Sequence, residues 1–234
     1  MKKRISMKRL SHLLVCDIHF QMRYGFYFLY LFLTIVYILL VSALHGNVRN
    51  YVAIFVLLTD PAAMGMFFMG AIVLLEKSDR VLNSLAVSPV TIPEYIAAKC
   101  ISLGLISTLT AVAIGIAWGN GSLWLTAIAI FMGSIIFSLC GLIVGANVLT
   151  LNQYVILTAP FEVVGILPAI AYEAGFRPAW MLLHPGCMIV YFLQGHSAGF
   201  PLLFLLLLAW CLFLYTFASK CIRKMFLTVG GIKL

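Results

Sequence analysis

FYFLYLFLTIVYILLVSAL, residues 26–44, is apolar on every side of a helix and shows no alternation of apolar and polar positions. A membrane β-strand would be about ten residues of alternating character. A helix of this length rises about 28 Å at 1.5 Å per residue, close to the thickness of a bilayer's hydrocarbon core. Working outward, comparable apolar runs fall at 51–75, 97–118, 123–147, 154–172 and 198–219. The chain therefore reads as an all-α polytopic membrane protein with six transmembrane helices between residues 26 and 219. Composition agrees, since 64% of the 234 residues are hydrophobic and only 9% are charged. Soluble domains carry roughly 25% charged residues.

With the N-terminus inside, 13 of the 15 Lys and Arg residues fall on inner segments, and only Arg49 and Arg177 lie outside. This asymmetry places both termini, including the tail 220–234, in the cytoplasm, with the chain in the inner (plasma) membrane. It also accounts for the formal charge of +8 without nucleic acid. Met1-Lys2-Lys3-Arg4 resembles the start of a signal peptide, but no small-residue cleavage site follows the first apolar run, so that run reads as a retained span. The six cysteines, at 16, 100, 140, 187, 211 and 221, have no metal-like spacing and sit mostly in apolar runs.

Residues 1–25 read as an interfacial amphipathic helix. Met7, Leu10, Leu14 and Ile18 repeat every three or four residues, with Lys8, Arg9, His12, His19 and Arg23 mostly on other faces. A simple basic anchor is the plainer alternative. Before the last span, in 176–194, two short apolar pieces flank His184-Pro185-Gly186. The turn forced by Pro-Gly predicts a re-entrant hairpin, the alternative being an apolar loop on the interface. Two acids, Asp60 and Glu162, lie in apolar surroundings and are the pathway candidates. Asp60 can equally cap a helix that starts at Pro61, which predicts a break in the second span. Glu162 lies between Pro160 and Pro168, in a span whose backbone those prolines are expected to interrupt.

The inner loop 76–96 is the most informative. It opens with Glu76-Lys77-Ser78-Asp79-Arg80 and continues through Val81–Val87, a short helix-compatible stretch. Ser88-Pro89 stops it, because the residue before proline is pushed out of the α region. Thr91-Ile92-Pro93-Glu94 then marks a new helix start. Such a helix, held between two spans, suits docking on a cytoplasmic partner; an ordinary solvated connection is the plainer reading.

From Thr59 to Lys99 the sequence resembles the ABC type-2 exporter permeases. The likeness rests on Asp60-Pro61-Ala62-Ala63-Met64-Gly65, Gly70, Glu76-Lys77, Leu85-Ala86-Val87-Ser88-Pro89-Val90, Glu94-Tyr95 and Lys99. Within that family it is most similar to the half-size, fluoroquinolone-export-like permeases. The resemblance implies a second permease copy or close paralogue and separate ATP-binding subunits, with ATP and magnesium on the partner. It makes 76–96 the coupling loop, with Asp79, Arg80, Leu82, Leu85, Ser88 and Pro89 as ATPase-coupling residues, and has the N-terminal helix brace it. In agreement, the chain has no GxxxxGK[ST] phosphate loop of its own and no HExxH or GxSxG motif, so no catalytic, cofactor or metal residue is assigned. The alternatives are an intramembrane enzyme using Ser122 or Ser134 with His184 or His196, and a secondary transporter coupling protons through Asp60 or Glu162.

Overall fold

The computed structural model describes residues 6–59 and 63–229, and every regular element among them is helical. In chain order these are α1 Met7–Arg23, α2 Phe26–Ala43, α3 Gly46–Leu57, α4 Ala63–Ser78, α5 Val81–Val87 and α6 Ile92–Trp118. There follow α7 Leu123–Asn147, α8 Leu151–Glu173, a 3-10 turn at Ala179–Leu183, α9 Pro185–Leu193 and α10 Phe200–Val229. Among the described residues, five helices (α2, α6, α7, α8 and α10) are long and apolar enough to cross a membrane, where the sequence predicted six. The run expected to form the second span is divided between α3 and α4, of 12 and 16 residues. Asp60, the expected cause of the break, lies outside the described residues.

α6 and α7 carry the most buried spans and pack against each other along their length. α1 and α2 lie on α6, while α4 and α10 lie on α7. α2, α8 and α10 keep wide apolar surfaces outward, among them Phe28, Leu31, Ile156, Leu167, Leu205 and Phe213. In water such surface would drive association; facing lipid it is already solvated. Beneath it, one core gathers Leu57, Ile130, Ile189 and Phe192, and a second gathers Ile72, Leu82, Tyr95 and Ile222.

Local chemistry sets the joints. Gly25 turns the chain from α1 into α2 with φ 77°, a conformation that residues with a Cβ rarely hold. α6 begins as the sequence predicts, with Pro in its first turn and the Glu94 carboxylate reaching back to the Thr91 N–H at 2.8 Å. The carbonyls closing α7 are met by Lys77, whose Nζ donates to Gly145 O (2.7 Å), Ala146 O (3.1 Å) and Val148 O (2.6 Å). α8 corrects an expectation: it runs unbroken through Pro160 and Pro168. Each proline removes a single backbone donor, and the flanking turns hold the helix together.

α4 and α8 meet with no spare volume. A methyl group on Gly70 would sit 1.9 Å from the Tyr154 ring. Gly70→Ala should lower stability by about 1–3 kcal/mol through overpacking. The same change in a Tyr154→Leu background should cost clearly less. Thermal unfolding of the four proteins in detergent gives the comparison, and equal losses in both backgrounds would show that the contact is not the cause.

Candidate functional site

Three helices bring their polar residues together at one end of the bundle. On α6, Tyr95, Lys99 and Ser102 are spaced four and three apart and share a face. α1 presents Asp17 and Gln21, again four apart, and α4 presents Glu76 near its end. Lys99 Nζ lies 2.9 Å from Asp17 Oδ1 and 2.7 Å from Glu76 Oε1. Tyr95 donates its hydroxyl to Glu76 Oε2 at 2.7 Å. Ser102 and Gln21 donate to Asp17 Oδ2 at 2.5 and 3.1 Å. Lys99, Asp17 and Glu76 are 2%, 7% and 5% exposed, so the group is almost wholly buried. All four carboxylate oxygens nevertheless have a donor, and that is what makes burying these charges tolerable.

A second contact ties the beginning of α1 to the beginning of α6. Glu94 Oε1 accepts from the Ser6 N–H at 2.8 Å and from Arg9 Nε at 3.0 Å. The first helix is therefore fixed at both ends of its inner stripe. This corrects the expected face. Met7 is exposed, whereas Asp17 and Gln21 are buried against protein beside Leu10, Leu14 and Ile18. One signal in the sequence could have shown it: Asp17 is a lone acid on the apolar stripe of an otherwise basic helix.

α5 stands beside this cluster. Its bounds match the stretch predicted between the charged cluster and Ser88-Pro89. Arg80, at φ 56°, makes the corner between α4 and α5. Ser88 Oγ donates to Leu85 O at 2.8 Å and finishes the helix. Tyr24, just past α1, donates its hydroxyl to Asp79 Oδ2. That bond to a carboxylate pushes the Tyr24 phenol above its usual range. Leu82, expected among the ATPase-coupling residues, is 1% exposed and belongs to the core with Tyr95 and Ile222; Leu85, expected with it, packs on the same core. Among the described side chains, the surface open at α5 is instead polar: Asp79, Arg80, Asn83 and Ser84, with Pro89 beyond.

The remaining candidates lie apart. Glu162 is on α8, half-exposed, with Oε1 buried and lacking a hydrogen-bond partner. It does not line the apolar cavity of about 370 Å³ that Phe137, Phe161, His184 and Trp210 enclose between α7, α8, α9 and α10. Ser134 bonds Ser107 at 3.3 Å, and His196 stacks on Tyr191, so neither is drawn into a serine–histidine pair.

Comparison with known proteins agrees with the likeness first seen at Thr59–Lys99. Two relatives called fluoroquinolones export permease protein, from Mycobacterium tuberculosis strains CDC 1551 and H37Rv, are each 30% identical over 137 residues. Those residues are 58% of this chain and 58% of each relative's length. The family model for the fluoroquinolones export permease protein family matches residues 8–226, from the first turn of α1 to the last of α10. The chain is a multi-pass membrane protein and belongs to the fluoroquinolones export permease protein family.

Proposed function

We propose that this chain is the membrane-spanning subunit of an ATP-driven exporter, working with a separate ATP-binding subunit and a second permease copy. The observation that carries the proposal is α5: a short helix fixed between α4 and α6, seated on a core and beside a buried ionic cluster, with a polar face left open. A push on that face would reach α1, α4 and α6 together, because Lys99 and its carboxylates join all three. A solvated connection needs no such support. The ATP and magnesium would sit on the partner, and the substrate is one this family's pathway accepts.

In this reading the cluster end is cytoplasmic, as the 13-to-2 distribution of Lys and Arg favours. α3 and α4 rise about 18 and 24 Å, each short of a bilayer, and together make the sixth crossing. α9 and the 3-10 turn before it form the re-entrant segment. Eight of α9's nine residues are buried among other helices, which lets a non-spanning segment sit at membrane depth. Lone cysteines introduced at positions 3 and 230 should resist a membrane-impermeant thiol reagent in intact cells and react once the cells are opened. Reaction in intact cells would reverse the orientation.

The direct test is to look for a phosphate-loop ATPase encoded beside this chain and to coexpress the two. The two should copurify with equal numbers of permease and ATPase subunits. A permease that purifies alone, and whose export persists when the ATPase is inactivated, would point to the secondary-transporter alternative.

A further inference from the structure

Trp118 closes α6 nineteen residues beyond Lys99, about 28 Å along the helix, at the end of the bundle away from the ionic cluster. There a cavity of about 460 Å³ opens between α3, the α6–α7 turn and the segments that follow α8 and α9. Its wall holds Glu173, the last residue of α8, which is 5% exposed. Glu173 Oε1 is buried and has no hydrogen-bond partner. Gln194 lines the same cavity, and its Oε1 is also buried and unpartnered. Arg177 borders the space too, but its Nε donates to Tyr172 O at 3.3 Å and its guanidinium lies over the Tyr172 ring. Among the described residues no ion pair joins Arg177 to Glu173. Asn50 accepts from the Trp118 indole N–H at 2.9 Å, which fixes one aromatic wall, and Tyr51 supplies another.

Glu173 and Gln194, each with a buried Oε1 that has no hydrogen-bond partner, line one cavity, whereas every carboxylate oxygen of the Asp17–Lys99–Glu76 cluster has a donor. Buried acceptors are satisfied in nearly all folded proteins, and a carboxylate most stringently. A partner supplied from the cavity would bring N–H donors and positive charge to Glu173, and the aromatic walls favour an organic cation over a bare metal ion. We propose that this cavity binds a primary or secondary ammonium group carried on an apolar body, with Glu173 as its counter-ion and Gln194 as a second acceptor. The site is independent of ATP coupling, because its occupancy is an equilibrium property of the chain by itself.

Calorimetric titration of the purified full-length chain in neutral detergent tests this with phenethylammonium and its uncharged analogue, phenethyl alcohol. The parent protein should bind the ammonium saturably and at least about tenfold more tightly than the alcohol, as a charge-assisted hydrogen bond to a buried carboxylate implies. Glu173→Gln, which keeps the shape and removes the charge, should erase that preference and leave the alcohol's binding unchanged. The comparison of the two probes on the parent needs no variant, so it decides the matter even if Glu173→Gln folds poorly. Equal affinity of the parent for both probes, or undiminished ammonium binding by a folded Glu173→Gln protein, would overturn the proposal.

Discussion

Replacing Lys99 with Met should destabilise the protein by about 3–5 kcal/mol, the largest loss expected of any single substitution in the chain. Met fills similar volume, so the effect isolates the charge. Without the ammonium, Asp17 and Glu76 would face each other in an almost wholly buried site, keeping only Tyr95, Ser102 and Gln21 as donors. The damage is uncompensated burial and not merely a lost attraction. Two comparisons make the cause visible. Lys99→Arg keeps the charge and should fall between Met and the parent, since a planar guanidinium does not match two carboxylates placed for one Nζ. Asp17→Asn with Glu76→Gln in the Lys99→Met background should recover part of the loss, because neutral amides cost less to bury than carboxylates. Thermal unfolding in detergent reads all of these. A Lys99→Met protein as stable as its parent would mean the cluster does not join the three helices.

The second large effect concerns α5 and divides substitutions that look alike in sequence. Leu82 and Leu85, three apart, share a face, and that face is turned into the protein. Leu82→Asp should therefore damage the fold itself, placing a carboxylate where the parent residue is 1% exposed. Asn83→Glu with Ser84→Glu alters only the open face and should leave the isolated chain's stability within about 0.5 kcal/mol. Under the proposed function that pair should nonetheless weaken association with the ATP-binding subunit by about tenfold or more, with export falling alongside. Arg80 alone, an exposed charge at the rim, should matter little. Copurification and export assays on the stable variants measure the difference.

Much of this was readable beforehand, and the reasons differ by element. The long spans announce themselves by length and uniform apolarity. α5 and the start of α6 are legible because Ser88-Pro89 and Thr91-x-x-Glu94 act through local backbone geometry, which tertiary packing did not override. Where a helical face points is a different kind of information. The spacing of Leu82 and Leu85 says that they share a face but not what covers it, and here the covering is the chain's own core. The prolines of α8 likewise specify a missing donor, and the surrounding turns decide that the helix continues. Asp17, Glu76 and Lys99 lie 59 and 23 residues apart in sequence, and Glu76 and Lys99 read there as charges at the ends of a loop and as parts of the family likeness. Their meeting follows from how α1 and α4 each lie against α6, which no local signal encodes. Glu173 and Gln194 were passed over for the same reason, sitting at helix ends that only the fold brings around one cavity.

The claim that α5 receives the ATP-binding subunit has a direct measurement. A photo-activated cross-linking residue placed at position 84, on the open face, is compared with one at position 197, beyond α9 at the other end of the bundle, in the coexpressed complex. Irradiation should join position 84 to the ATPase subunit and leave position 197 unjoined to it. A complex that copurifies intact while position 84 forms no cross-link to the ATPase would contradict the account.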